Sequence, residues 1–190
     1  MQEPAPLDHV PFWFLRHGET DWNARNLSQG NIDIPLNETG IAQAHAAAEK
    51  LLGLGIASIV ASPLSRARVT AEIAAARLGL TLEIDPDLRE TAFGEQEGQP
   101  MGDWYEDWVT DRFTPKGAES FLALRIRAAA AIGRAQARPA AVLVVAHGAL
   151  FRAVRKLMGL QPNVRSRNAV PMLCTPPANG SGPWEVDERG

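Results

Sequence analysis

The sequence has one cysteine, no excess of positive charge and no long hydrophobic run. Cys174 has no partner for a disulfide, and no cysteine and histidine cluster has the spacing of a zinc site, so we predict neither a disulfide nor a metal. A net charge of −3 and a pI near 5.8 give no broad basic surface for nucleic acid or an anionic membrane. The N-terminal apolar run is far shorter than the roughly 20 residues that cross a bilayer, and no Lys or Arg precedes Arg16, so we expect no signal peptide or anchor. These absences favour a reducing, cytoplasmic location without nucleic-acid or membrane partners.

The length and composition favour one folded domain. The chain has 190 residues, of which 45% are hydrophobic and 22% are charged. Such a chain can bury an ample core and is neither disordered nor fibrous in composition. We therefore predict a single domain over residues 1–190.

Short apolar runs alternate with long alanine-rich segments along the chain. The runs at 11–15, 56–61 and 140–146 are rich in branched or aromatic residues and read as strands buried on both faces. This alternation is typical of βα units, so we predict an α/β fold, a three-layer α/β/α sandwich with a mostly parallel central sheet. The predicted helices are 37–55, 64–80, 119–137 and 149–160.

Two further regions complete the predicted fold. A weaker strand at 81–85 precedes an insertion at about 91–117, which we expect to act as a lid. The C-terminal part has two extended segments around a Pro/Gly/Asn-rich loop at 175–183, which predicts an antiparallel edge hairpin.

The insertion contains a short helix with two tryptophans. Asp103 and Glu106 have the spacing of a capping box, and Trp104 and Trp108 share one helix face. Two interpretations are open: the aromatic side chains cover the core, or they face a substrate.

Basic residues follow three of the predicted strands. Arg16 and His17 follow the first, Arg66 lies shortly after the second, and His147 follows the last. The carboxyl ends of parallel strands meet at one sheet edge, which is where ligands bind in such folds. Buried cations are costly without a counter-ion, and only Glu19 lies beside them in sequence. We therefore predict a bound anion, and a phosphoryl group is one that arginine binds bidentately.

Four sequence blocks then resemble the histidine phosphatase superfamily, which includes the cofactor-dependent phosphoglycerate mutases and many phosphatases. The blocks are LRHGETDWN with LNETGIAQA, ASPLSRARVTAEI, LRETAFGEQEG and VLVVAHGALFRAV. They occur in the family's order between about residue 11 and about residue 175. Gly148-Ala149 departs from the Gly-Gly that the family often has after its second histidine.

The resemblance implies a role for each main residue. His17 would be the nucleophile, phosphorylated on a ring nitrogen, while Glu90 donates the proton. Arg16, Arg66 and His147 would hold the phosphoryl oxygens, and no metal or cofactor would be needed. Lesser phosphate contacts would come from Asn23, Gln29, Gly30, Gly148 and Ala149.

These roles agree with the physics of phosphoryl transfer, in which catalysis is mostly positioning and electrostatic stabilisation of charged oxygens. Two arginines and a protonated His147 suit that task. His17 must instead be neutral, with its second ring nitrogen held as a donor by a backbone carbonyl.

The sequence leaves the reaction partly open. The insertion carries acids, so we expect like-charge repulsion to disfavour bisphosphorylated or carboxylated substrates, which favours a phosphatase over a mutase. The substrate would be a small phosphomonoester, with a phosphoprotein as the alternative, and a binding module without turnover is a further interpretation. The oligomeric state is open. The insertion's charged residues are Glu95, Glu97, Asp103, Glu106, Asp107, Asp111, Arg112 and Lys116.

Several other polar residues receive no catalytic role. Glu19 is a rival for the acid, but its position predicts that it caps or orients a turn. His9 and His45 are expected outside the site. Arg165 and Arg167 are expected to form a solvated pair rather than to extend the anion site.

Overall fold

The computed structural model describes residues 3–189, whose strands form a six-stranded sheet. In chain order these are β1 (Phe12–Arg16), β2 (Ser58–Ala61), β3 (Leu82–Ile84), β4 (Val142–Ala146), β5 (Pro171–Thr175) and β6 (Glu185–Glu188). Across the sheet the order is β3-β2-β4-β1-β5-β6. The first four of these are parallel, and β5 and β6 add an antiparallel edge hairpin. The predicted sheet is therefore confirmed.

The central strands β1 and β4 lie side by side. Phe14 is opposite Val144, and both faces of β1 are buried, with Phe12 on one side of the sheet and Trp13 on the other. Burial on both faces explains why these strands read as unbroken apolar runs. Because the two strands are parallel, the segments that follow them meet at one edge of the sheet.

The helices are α1 (Asp21–Ala24), α2 (Glu38–Lys50), α3 (Ser65–Leu78), α4 (Trp104–Val109), α5 (Phe121–Gln136) and α6 (Gly148–Leu157). Two 3₁₀ turns lie at Pro86–Leu88 and Gly94–Gln96. The four predicted long helices are all present, and each ends before its predicted last residue. Helix α3 is capped by Gly79 with a φ of 68°, as expected for a left-handed cap. Within residues 3–189, no helix combines the length and apolar character that crossing a membrane requires.

The helices cover both faces of the sheet. Helices α2 and α3 pack with Trp13 and Leu15 on one face, and α5 and α6 pack with Phe12 and Phe14 on the other. This is the predicted three-layer α/β/α sandwich.

The insertion differs from its prediction at the start of α4. Asp103 has a helical backbone with φ −61° and ψ −26°, and its side chain caps nothing. A capping side chain needs an extended backbone at that position, so the predicted capping box with Glu106 was wrong.

The two tryptophans of α4 cover the core. Both rings lie 5.3 Å from the ring of Phe93, and Trp108 is fully buried with its Nε1 donating to the Glu119 carbonyl at 2.8 Å. The aromatic side chain that this helix directs toward the site is Tyr105.

Candidate active site

A cavity of about 230 Å³ opens at the carboxyl ends of β1 and β4. Every predicted site residue except His147 lines it. His147 is fully buried, and its ring centroid lies 5.3 Å from that of His17. We call Arg16, His17, Arg66 and His147 the floor of the cavity. The other walls are formed by Asn26, Leu27, Ser28, Phe93, Met101, Tyr105, Arg152, Arg165 and Ser166.

Arg16 ends strand β1 and is held by main-chain groups. Its Nη1 donates to the Ser166 carbonyl at 2.8 Å, and its backbone carbonyl accepts from the Ala169 amide at 2.9 Å. Burial lowers the pKa of Arg16 to about 10, so the guanidinium remains charged at neutral pH. Its buried Nε has no partner among the described residues.

His17 is fixed in one tautomer. Its Nδ1 lies 2.7 Å from the Gly18 carbonyl, and because a carbonyl only accepts, Nδ1 carries the proton. The lone pair is therefore on Nε2, as expected from the sequence. Burial, with Arg66 and Arg16 nearby, lowers the pKa of His17 well below 6.5, so the ring is neutral at pH 7.

Gly18 allows the chain to pass close to helix α2 beside this histidine. A Cβ at Gly18 would overlap the carbonyl of Gly40 in helix α2. The amide of Gly18 donates to Thr70 Oγ1 at 3.1 Å, so helix α3 also fixes this segment. The glycine is needed for close packing at this position.

His147 differs from its expected protonation state. Burial, followed by the charge of Arg66, lowers the pKa of His147 well below 6.5, so the ring is neutral rather than protonated. The prediction omitted the cost of adding charge in a buried site that already holds two arginines. Its Nε2 lies 2.7 Å from Ser62 Oγ, and its buried Nδ1 has no partner among residues 3–189.

Arg66 lies in the first turn of α3 and is 1% exposed. Its Nη1 donates to the Ile32 carbonyl at 2.9 Å and its Nη2 to the Gly30 carbonyl at 2.8 Å. Gly30 has a φ of 53°, and a Cβ there would overlap the Glu97 carboxylate. Arg66 and this loop therefore fix each other, while Arg66 Nε has no described partner.

Glu90 is buried at the N-terminus of α6. Its Oε2 accepts from the Ala149 amide at 3.0 Å, and its Oε1 accepts from Leu150 at 3.0 Å and Thr91 at 3.1 Å. It is the only carboxylate that lines the cavity within the described part of the chain. The Ala149 amide is therefore already bonded, and it can contact a phosphate only when Glu90 moves.

The lesser predicted residues are organised by hydrogen bonds of their own. Asn23 Oδ1 accepts from the Thr20 amide at 3.2 Å and completes a capping box at the start of α1. Gln29 Oε1 accepts from Thr20 Oγ1 at 2.9 Å. These bonds engage the side-chain oxygens of two residues that both line the cavity.

Some residues that were set aside are placed differently. Glu19 lies outside the cavity and accepts from Asn37 Nδ2 at 3.1 Å, so it orients the start of α2 as expected. Arg167 pairs with Glu188 at 2.8 Å, whereas Arg165 lines the cavity, so treating the two arginines as one solvated pair was wrong. His45 is exposed.

The acids of the insertion do not form a face over the cavity. Glu97 Oε1 accepts from the Phe93 amide at 3.1 Å, and Asp107 and Asp111 pair with Arg112 and Arg125. The remaining acids of the insertion are likewise absent from the lining of the cavity; they are Glu95, Asp103 and Glu106. The predicted repulsion of carboxylated substrates has no structural basis here.

Sequence reasoning missed several residues that shape the site. Asn168 Nδ2 donates to the His17 carbonyl at 2.9 Å and to Asn23 Oδ1 at 3.3 Å. Only tertiary structure brings residue 168 to residue 17. Arg152 could have been found, because it lies three residues after Ala149 on the helix that His147 precedes.

The fold and the site together define an α/β protein with a cavity whose arginine and histidine side chains suit an oxyanion. Two buried arginines and two neutral histidines lie together there, and one atom each of Arg16, Arg66 and His147 has no partner among residues 3–189. Among residues 3–189, no three His, Cys, Asp or Glu side chains are grouped as a metal site would require.

Comparisons with known proteins identify the family. The chain matches the model of the histidine phosphatase superfamily (branch 1) over residues 12–175, and it belongs to that family. It is 37% identical over 167 residues to "Probable phosphoglycerate mutase GpmB" of Yersinia pestis (strain Pestoides F), covering 82% of this chain and 78% of that protein. The predicted resemblance is confirmed.

Solved structures support the same assignment. The mycobacterial glucosyl-3-phosphoglycerate phosphatase Rv2419c, solved with VO3, is similar with a TM-score of 0.80 and 30% identity over 94% of this chain and 97% of that one. TTHB049 from Thermus thermophilus is similar with a TM-score of 0.72 and 30% identity over 86% and 92% of the two chains. The chain is an enzyme of the histidine phosphatase type, with phosphatases and phosphoglycerate mutase-like proteins among its relatives.

Proposed function

We propose that the protein is a metal-independent phosphatase that hydrolyses a small phosphomonoester through a phosphohistidine on His17. The main supporting observation is that two arginines that line the cavity each keep a buried atom, Arg16 Nε and Arg66 Nε, without a partner among residues 3–189. Buried polar atoms are nearly always hydrogen-bonded, so these two favour a bound group with several acceptor oxygens. A phosphoryl group fits that requirement.

The first half of the reaction uses the neutral tautomer of His17. Nε2 attacks phosphorus, and the N–P bond forms as the bond from phosphorus to the ester oxygen breaks. Glu90 acts as the general acid: it gives a proton to the leaving oxygen and becomes a carboxylate. Nδ1 keeps its proton and donates a hydrogen bond to the Gly18 carbonyl at 2.7 Å. This bond stabilises the positive charge that develops on the imidazole ring.

The second half returns every group to its starting state. Water attacks phosphorus as the N–P bond breaks, and the Glu90 carboxylate takes the proton of that water. Inorganic phosphate leaves, and His17 is again neutral. Arg16 and Arg66 are charged throughout and are fixed by backbone carbonyls, so they stabilise the equatorial oxygens without rearranging.

The substrate class follows from the size of the cavity and from the relatives. A space of about 230 Å³ suits a small leaving group better than a folded protein surface. A phosphatase named for glucosyl-3-phosphoglycerate is similar in fold, and a protein named as a phosphoglycerate mutase is 37% identical in sequence. Mutase activity is therefore the second candidate, supported by the latter relative.

The test measures phosphate release with EDTA present, using p-nitrophenyl phosphate and a panel of sugar, nucleotide and glycerate phosphates. We expect release by the wild type and none by His17→Ala. When the wild-type reaction is quenched, the phosphate bound to the protein should be stable in base and labile in acid, as phosphohistidine is. The variant should carry no such phosphate. Arg167→Gln, outside the cavity, serves as the matched control for a change of surface charge.

Three other outcomes would overturn the proposal. Conversion of 3-phosphoglycerate to its 2-isomer without phosphate release would identify a mutase. Loss of activity in EDTA, restored by a divalent cation, would contradict metal independence. Phosphate binding without turnover of any ester would identify a binding module.

A further inference from the structure

We propose that Arg127, on helix α5, is a positioning residue for Glu90, the general acid of the proposed reaction. Glu90 lines the cavity, whereas Arg127 does not. The guanidinium of Arg127 instead holds the main chain on either side of Glu90. This inference rests on the proposed phosphatase function, because it concerns the proton donor of that reaction.

Glu90 lies in a segment without regular secondary structure. The segment follows the 3₁₀ turn at Pro86–Leu88 and lies outside every helix and strand of the described residues. The two histidines of the floor, by contrast, directly follow strands β1 and β4. The sheet therefore fixes His17 and His147 but not Glu90, whose main chain must be held by other contacts.

Arg127 contacts the carbonyl groups that precede this acid. Its Nη1 donates to the Asp87 carbonyl at 2.7 Å and to the Arg89 carbonyl at 2.8 Å. Its Nη2 lies 3.5 Å from the carbonyl of Glu90 itself. Within residues 3–189, neither of the first two carbonyls accepts a main-chain hydrogen bond. Arg127 therefore supplies the bonding that a helix or strand would otherwise give this segment.

Glu119 links the same guanidinium to the chain that follows the acid. Arg127 Nε donates to Glu119 Oε1 at 2.9 Å and Nη2 donates to Oε2 at 2.6 Å, with only 9% and 18% of the two side chains exposed. The amide of Glu119 donates to the Ala92 carbonyl at 2.9 Å. Every N–H group of the guanidinium thus faces an acceptor, and the pair holds the main chain both before and after Glu90.

The Glu90 carboxylate extends from this fixed segment to the cavity. It accepts from the Ala149 and Leu150 amides at 3.0 Å each, so it spans the distance from the segment to helix α6. A proton donor works only within hydrogen-bond reach of the leaving oxygen, and a displacement of about 1 Å can cost about 10²-fold in rate. A main chain released at Asp87 and Arg89 would allow such a displacement.

An ion pair that only stabilises the fold is the alternative interpretation, and Arg134 provides the matched control. Arg134 lies two turns further along α5 and donates to the side chains of Asp85 and Asp87 at 2.9 Å each. It binds carboxylates of this stretch rather than main-chain carbonyls, and its side chain is 47% exposed. Removing Arg134 therefore removes a charge from the same helix but leaves the main chain around Glu90 bonded.

The experiment compares glycerol 3-phosphate, an alkyl phosphate, with p-nitrophenyl phosphate, whose leaving group departs without a proton. The measured quantity is the alkyl-to-aryl ratio of kcat/KM, which covers the steps up to departure of the leaving group. We expect Arg127→Gln to lower this ratio by about 10-fold or more, toward the ratio of Glu90→Gln. Arg134→Gln should leave the ratio unchanged. Misfolding lowers both rates and cancels in the ratio.

A double-variant cycle tests whether Arg127 acts through Glu90. In a Glu90→Gln background, Arg127→Gln should change the ratio by less than about 2-fold, because the acid that it positions is gone. Arg127→Lys keeps the charge but lacks the planar fork, so its ratio should lie between those of the wild type and Arg127→Gln. Glu119→Gln weakens the same pair and should also give an intermediate ratio, which decides the test if Arg127→Gln does not fold.

The outcomes separate the inference from the proposed function. A ratio that falls in Glu90→Gln but not in the Arg127 variants would overturn the inference and leave the phosphatase intact. Equal losses on both substrates in the Arg127 variants would do the same, because they would indicate a stabilising ion pair only. His17-dependent hydrolysis with an unchanged ratio in Glu90→Gln would refute the acid role of Glu90, and the positioning role with it.

Discussion

The floor and the rim of the cavity both contain arginine, but the two regions are built in different ways. We call Tyr105, Arg152, Arg165 and Ser166 the rim, and all four line the cavity. On the floor, main-chain carbonyls of Ser166, Gly30 and Ile32 accept from Arg16 and Arg66, and the Gly18 carbonyl orients His17. At the rim, Arg152 is positioned by another side chain, Tyr105, and Arg165 is exposed. In the proposed reaction the sheet therefore positions the phosphoryl group, whereas a short helix and a loop contact the rest of the substrate.

The largest expected effect comes from replacing the proposed nucleophile, His17, on the floor of the cavity. His17→Asn should lower kcat for every phosphomonoester by at least about 10⁴-fold, because the variant loses the nucleophile that forms the proposed covalent intermediate. His147→Asn should cost about 10² to 10³-fold, the usual effect of one lost donor to a developing charge. Steady-state rates on p-nitrophenyl phosphate measure both. Similar losses in the two variants would contradict the distinct roles.

Glu90→Gln should reduce kcat according to the leaving group. General acid catalysis contributes about 10² to 10⁴-fold, and we expect that loss with an alkyl phosphate. With p-nitrophenyl phosphate the loss should be much smaller, because nitrophenolate leaves without a proton. Thermal melts of the variant serve as the control, since Glu90 also accepts from three amides. Equal losses on both substrates would indicate a structural role only.

Replacing Asn168 tests how much a hydrogen bond to the backbone of His17 contributes to catalysis. Asn168→Ala removes a donor to the His17 carbonyl, and we expect kcat to fall about 10-fold with little change in KM, since misplacement of the nucleophile affects the chemical step. Asn163→Ala is the matched control, because that side chain lies on the same loop and bonds to Glu106. A change confined to KM would place Asn168 in substrate binding instead.

The smallest expected effect is the pH dependence of stability without ligand. The folded-state pKa values of His17 and His147 lie well below 6.5, so between pH 7 and pH 5 the unfolded chain binds more protons than the folded one. Stability is therefore complete above pH 7 and falls as the pH decreases, by up to about 1.4 kcal/mol per pH unit for each histidine. Urea unfolding of the wild type, His17→Asn and His147→Asn would measure it. An unchanged slope in both variants would show that other groups cause it.

The sheet and the floor could be predicted because their signals are local. Buried parallel strands give continuous apolar runs, and a basic residue directly after such a run must lie at the strand's carboxyl end. Arg16 ends β1, His17 follows it and His147 follows β4, so recognising those two strands was enough to predict that these residues meet. The family resemblance then supplied the proposed roles.

The rim could not be predicted in the same way, because it depends on contacts between distant segments. Residue 105 meets residue 152, and residue 168 meets residue 17, without any periodic pattern that links them. Counting the acids of the insertion wrongly predicted repulsion of carboxylated substrates, because these acids form local ion pairs such as Asp107 with Arg112. The protonation of His147 required knowledge of its burial, which no sequence pattern provides.

Main-chain hydrogen bonds join the insertion to the loop at residues 28–30, which Arg66 holds through Gly30 and which we call the clamp. The Ser28 amide donates to the Gln99 carbonyl at 2.9 Å, and the Gly98 amide donates to the Ser28 carbonyl at 2.8 Å. The base of the insertion and the clamp are thus one structural unit, whereas the tip around α4 is attached mainly through side chains. A protein engineer could therefore vary the exposed residues of the tip, with the main-chain bonds up to Met101 and the buried Trp108 kept, to seek new substrate preferences at an unchanged floor.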